Sequence, residues 1–151
     1  MKMANDHKVA VVTGSTGGIG EGIVRRLAAD GFAVIVSGRR IAKGEEIAHE
    51  TTARGGTACF VPADMADPEA CRTLIGAAAE WRGGLDVLVN NAGVFPIAEI
   101  RDTTVQLWDW VYAVNVRGPF VCAQEAIPHF RKRGWRVNRQ HRLHDAFPLP
   151  Q

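Results

Sequence analysis

The sequence predicts an α/β fold, a doubly wound parallel sheet of about four strands with helices on both faces. Three observations predict it. Short β-branched runs alternate with longer stretches at helical spacing from Lys8 to Pro128, as parallel strands joined by helical crossovers require. The first of these runs leads directly into Thr13-Gly14-Ser15-Thr16-Gly17-Gly18-Ile19-Gly20, a glycine-rich strand-to-helix turn. The chain has 151 residues, 46% of them hydrophobic, enough for one domain with its own core.

Lys8-Val9-Ala10-Val11-Val12 is the first strand, apolar throughout as a buried parallel strand is. Past the glycines, Ile19, Ile23, Val24, Leu27 and Ala28 fall on one face of a helix. Phe32-Ala33-Val34-Ile35-Val36 is the second strand and completes a βαβ unit. Residues 41–54 form a polar helix with Ile41, Ile47 and Ala48 on its buried side, ended by Gly55-Gly56. Thr57-Ala58-Cys59-Phe60-Val61 is the third strand. Asp67 caps the next helix, Pro68 takes its first position, and it runs to about Trp81 before Gly83-Gly84 breaks it. Leu85-Asp86-Val87-Leu88-Val89 is the fourth strand, followed by the turn Asn90-Asn91-Ala92-Gly93. A long helix begins at Thr103 or Thr104. Val105, Trp108, Val111 and Tyr112 form its core-facing stripe, which Asn115 continues, and Phe120, Val121, Ala123 and Ala126 extend the pattern to Pro128 or a little beyond.

Two places in this pattern carry chemistry. A glycine turn that opens a helix lets an anion such as a pyrophosphate approach free backbone N–H groups and the positive end of the helix dipole; an ordinary glycine-rich turn is the alternative. Asn115 puts an amide on a stripe of core residues, where it needs hydrogen-bond partners; a satisfied structural asparagine is one reading of it.

The glycine spacing is T-G-x-x-x-G-x-G, with Gly14, Gly18 and Gly20. With the Asn90-Asn91-Ala92-Gly93 turn and Val114-Asn115-Val116, it resembles the short-chain dehydrogenase/reductase family from residue 8 to about 134. The resemblance implies a Rossmann-like partial sheet in the order 3-2-1-4 and hydride transfer between nicotinamide and an alcohol or carbonyl carbon. It implies cofactor contacts from Gly14, Ser15, Thr16, Gly18, Ile19, Gly20, Arg39, Arg40, Asp64, Met65, Asn90, Ala92 and Gly93, with Asp64 and Met65 walling the adenine pocket. Asn115 would be the asparagine that holds a water of the proton relay, the one catalytic residue of the family's set found here. In such folds an acid after the second strand holds the ribose 2′-hydroxyl. Here Ser37-Gly38-Arg39-Arg40 offers two guanidinium groups, which suit a 2′-phosphate. NADP is therefore expected over NAD, although Arg39 and Arg40 also read as solvated charges opening the next helix.

The resemblance ends abruptly. The family's catalytic serine and Tyr-x-x-x-Lys are missing: no serine follows Ser37, and the one tyrosine, Tyr112, has Val116 four residues on. Residues 135–146 show neither strand nor helix periodicity. Codons can be chosen for them that, read one base later, encode G-G-S-I-V-N-I-A-S-M-T, which looks like the family's fifth strand. The expectation is a frame shift near Gly134, an N-terminal arm over 1–7, an incomplete dinucleotide-binding domain over 8–134 and an irregular basic tail over 135–151. The fourth strand would then be an exposed apolar edge. Sequencing the coding DNA tests this: codons that give no family strand in any frame sink it.

The net charge of +2 conceals an asymmetry. Arg131, Lys132, Arg133, Arg136, Arg139 and Arg142 crowd the end of the chain, leaving 12 bases against 16 acids elsewhere. A binding module for nucleic acid or an acidic partner is one alternative function, and a non-catalytic regulatory subunit that pairs with a full-length relative through the helical stretch from Val105 to Ala126 is another; the same stretch is the expected contact of a homo-oligomer. No nucleic-acid motif accompanies the basic run, so nucleic acid is not expected as a partner. Cys59, Cys71 and Cys122 lack metal-ligand spacing and read as buried free thiols, and His141 and His144 lack further ligands. No apolar run approaches the ~18 residues of a membrane span, and residues 1–7 lack an apolar signal core, so a cytoplasmic placement is expected. The substrate is not legible. Phe95, Pro96 and Ile97 offer an apolar wall at most.

Overall fold

Val9–Val12 (β1), Ala33–Gly38 (β2), Thr57–Pro62 (β3) and Val87–Val89 (β4) pair as one parallel sheet in the order β3-β2-β1-β4. The computed structural model describes residues 8–134. The register sets Val9 opposite Ala33, Ala10 opposite Val87 and Ala33 opposite Thr57. The helices are Gly18–Ala29 (α1), Ile41–Ala53 (α2), Pro68–Trp81 (α3), Val105–Tyr112 (α4) and Gly118–Lys132 (α5). The predicted class and strand order therefore hold. The arm and tail predicted at the ends lie outside the described residues, as do Trp135, His141 and His144.

The two-residue period of the strands divides the core. Val9, Val11, Ala33 and Ile35 point to one face, where Cys71, Leu74, Ile75 and Ala78 of α3 and Val121, Cys122 and Ala126 of α5 cover them. Val12, Val34 and Val36 point to the other, covered by Val24 and Ala28 of α1 and Ile47 and Ala48 of α2. All four β1 residues are fully buried, as expected for a strand covered on both faces. The three cysteines are free thiols; Cys71 and Cys122 are buried and Cys59 is half-buried. Burial pushes the Cys59 thiol up to about 11, so it stays protonated near neutral pH.

Several sequence expectations need correction. Ile19 and Ile41 are 80% and 55% exposed, not core residues. Each sits in the first turn of its helix. β4 begins at Val87, two residues later than expected; Leu85 is still fully buried, and Asp86 is occupied in tying the strand to β1. The single long helix is two helices, α4 and α5, joined by a π-helical turn over Ala113–Arg117. The extra residue in that turn rotates the stripe. Val105, Trp108 and Tyr112 are 70%, 64% and 52% exposed, and α4 contains no buried residue. The far end needs no correction: Pro128 lies inside α5, which ends a little beyond it, at Lys132.

Two helix starts, those of α3 and α4, follow the expected local chemistry. Asp67 accepts from the Glu69 N–H at 2.9 Å with Pro68 next to it, and Thr104 accepts from the Leu107 N–H at 3.1 Å. No helix among the described residues is long and apolar enough to cross a membrane.

Candidate functional site

The four strands end, at their C-terminal tips, beneath a cleft of about 290 Å³. In an open parallel sheet this is the edge at which ligands bind, where successive crossovers leave in opposite directions; here that divergence falls between β1 and β4.

The loop after β1 builds one wall. Gly14 (φ +63°) and Gly18 (φ +59°) hold left-handed conformations that a side chain resists. A Cβ on Gly14 would stand 2.6 Å from the Ala92 Cα, and one on Gly20 would stand 2.5 Å from the Asn91 Nδ2. Those two glycines let the loop close against the turn after β4. Gly18 faces open space, where a Cβ would meet nothing within 4 Å. No side chain caps the N-terminus of α1, so its first N–H groups are left for another acceptor.

The turn after β4 builds the facing wall, and two residues absent from the predicted site join the walls. Thr13 Oγ1 accepts the N–H groups of Asn91 and Ala92, each at 3.1 Å. Asn91 Nδ2 donates back to the carbonyls of Thr13 at 2.9 Å and Gly14 at 3.2 Å. The sequence flagged both motifs, but no local signal says that one clasps the other. Ser15 is buried; its hydroxyl donates to the Val12 carbonyl at 2.7 Å and accepts the Ser37 N–H at 2.9 Å, fastening the loop to the end of β2.

Among the predicted residues, Gly14, Thr16, Arg39, Arg40, Asp64, Met65, Ala92 and Gly93 line the cleft. Ser15, Gly18, Ile19, Gly20, Asn90 and Asn115 do not line it. The fold adds Gly38, Ala63, Asn91, Val94 and Val114. Asp64 is also a turn residue, accepting the Ala66 N–H at 2.9 Å. Met65 is buried, and its carbonyl abuts Gly118 at the start of α5. Asn90 Nδ2 reaches the Pro119 carbonyl at 3.5 Å. Asn115, in the π-helical turn, pairs its amide with the peptide of Val94 on the cleft wall. Arg40 donates from Nη2 to the Thr16 carbonyl at 2.6 Å. Arg39 is exposed and has no hydrogen-bond or ion-pair partner among the described residues.

A family model described as short chain dehydrogenase matches residues 8–137. The chain belongs to the short-chain dehydrogenase family. Among curated short-chain dehydrogenase relatives, the short-chain dehydrogenase/reductase eriH of Hericium erinaceus is 42% identical over 122 residues, covering 78% of this chain and 48% of that protein. The D-beta-hydroxybutyrate dehydrogenase of Rhizobium meliloti is 39% identical over 132 residues, 85% of this chain and 50% of that one. The chain thus spans about half the length of the curated relatives it matches. A short-chain dehydrogenase from Burkholderia cenocepacia J2315, solved in complex with NADP, superposes with a TM-score of 0.78 at 41% identity, covering 81% of this chain and 50% of that one. A metagenomic short-chain oxidoreductase, also in complex with NADP, gives 0.79 at 31% identity over 83% of this chain and 57% of that one.

Proposed function

We propose that residues 8–134 bind a nicotinamide dinucleotide, NADP in preference to NAD, as the cofactor-binding portion of an oxidoreductase acting on an alcohol or carbonyl carbon. The observation that carries the cofactor preference is the unpartnered Arg39 guanidinium on the cleft rim at the end of β2. Beside it a Cβ on Gly38 would stand 2.9 Å from the Thr16 Cγ2, so Thr16 crowds an acid out of the position that would favour a free ribose hydroxyl. The NADP named with two solved relatives supports the same choice.

The residues fit such a cofactor. The open face at Gly18 and the uncapped start of α1 suit a pyrophosphate. Asp64 and Met65 would flank the adenine, and Asn90, Ala92 and Gly93 would bound the nicotinamide end. Nicotinamide, when bound, supplies the carbon that gives or accepts hydride. This chain's part is to hold and orient it, with Asn115 stiffening the Val94 wall beside it. No residue here is assigned the proton transfer, because the 151 residues hold no Tyr-x-x-x-Lys and no serine after Ser37. Turnover by this chain alone is not expected.

The exposed stripe of Val105, Trp108 and Tyr112 on α4, with Phe120 of α5 also 63% exposed, supports self-association through these helices. A basic-tail module has no comparable support, since the tail lies outside the described residues.

Titrating the chain with NADPH and following nicotinamide fluorescence tests the cofactor reading. Saturable binding, tighter than for NADH and weakened by Arg39→Asp, is expected; no binding of either nucleotide refutes it.

A further inference from the structure

Two adjacent arginines end β2, and the structure gives them different surroundings. Arg40 is tied down on both sides. Its carbonyl accepts the Gly44 N–H at 2.9 Å in the first turn of α2. Its guanidinium crosses to the glycine loop, with Nη2 2.6 Å from the Thr16 carbonyl and Nε 3.3 Å from Thr16 Oγ1. A Cβ on Gly17 would stand 2.7 Å from the same Nη2, so the absence of a side chain at 17 is what leaves the guanidinium its seat. Arg39 has none of these ties.

We propose that Arg40 is a positioning residue that braces the glycine loop through the Thr16 carbonyl and leaves recognition of the adenosine 2′-phosphate to Arg39. This rests on the dinucleotide reading above. The peptide joining Thr16 to Gly17 is planar and trans, so fixing its carbonyl also fixes the direction of the Gly17 N–H on its other side. A charge-assisted hydrogen bond of this length is a firm hold. The brace therefore orders the loop before any nucleotide arrives and contributes equally to binding with or without a 2′-phosphate. Arg39 keeps all five of its donors for a dianion that only one of the two nucleotides carries.

The test compares the full chain with Arg39→Gln, Arg40→Gln and Arg40→Lys. Dissociation constants for NADPH and NADH are read by fluorescence, and amide hydrogen exchange of residues 16–20 is read without nucleotide. Arg39→Gln should cut the NADPH-over-NADH preference by about tenfold or more and leave exchange unchanged. Arg40→Gln should weaken both nucleotides by a similar factor, about three- to tenfold, keep their ratio, and speed exchange across the loop. Arg40→Lys, which keeps one donor for the Thr16 carbonyl, should recover part of both losses. A preference that collapses in Arg40→Gln as it does in Arg39→Gln overturns the proposal, and so does loop exchange unchanged by Arg40→Gln. If the unaltered chain binds neither nucleotide, the dinucleotide reading fails instead, and the exchange comparison still decides whether the brace exists.

Discussion

Asn115 treats the peptide of Val94 as a strand would: its Nδ2 donates to the Val94 carbonyl and its Oδ1 accepts the Val94 N–H, both at 2.8 Å. The two bonds cross from the π-helical turn to the loop after β4 and fix the wall of the cleft nearest the apolar Phe95 loop.

Replacing Asn115 by Leu removes both bonds and leaves the half-buried Val94 groups unmet. Unfolding in urea should show a loss of roughly 1–3 kcal/mol, and the Val94 amide should exchange faster. Unchanged exchange at Val94 would show that the loop is held by something else.

Alanine at Gly14 and at Gly18 separates two effects of a glycine. Both positions have left-handed φ, which costs an alanine roughly 1–2 kcal/mol. Only Gly14 would also drive a methyl into Ala92. Gly14→Ala should therefore be the more destabilising by about 1 kcal/mol or more, while Gly18→Ala should stay folded and mainly weaken nucleotide binding. Equal thermal stability of the two variants would refute the packing of the glycine loop on the turn after β4.

Asp86 predicts an acid sensitivity. Burial pulls its carboxyl up, but the Arg133 guanidinium, at 3.0 and 2.9 Å, and the Val9 N–H, at 2.8 Å, outweigh that and hold it below the usual carboxylate range. A carboxyl depressed by folding stabilises the protein above its unfolded value, and that contribution disappears as pH falls through the folded value. The urea midpoint should thus fall between about pH 5 and about pH 2, and fall less in Asp86→Asn. An identical pH slope for the two chains would remove Asp86 from the account.

Trp108, 64% exposed on α4, tests the association surface. Trp108→Asp should weaken self-association by about tenfold or more, because a large aromatic dominates the interface it enters, and should leave thermal stability of the dilute chain nearly unchanged. Sedimentation at several concentrations reads the first and a melting curve the second. A chain that is monomeric before the substitution defeats the expectation.

The amino-acid sequence by itself determined the order and type of the four strands and the first three helices, because strand alternation, helical spacing and caps such as Asp67-Pro68 act between near neighbours. It also marked both walls of the cleft, since Gly14 and the Asn90–Gly93 turn are unusual as local text. What it could not assign was partnership. The clasp of Thr13 with Asn91, the seat of Arg40 on Thr16 and the pairing of Asn115 with Val94 join residues 78, 24 and 21 positions apart, and each polar group could satisfy itself in several ways until the sheet brought one partner within reach. The stripe on α4 shows the same limit: periodicity shows that a face is apolar, while only the tertiary packing decides that this one stays more than half exposed among the described residues.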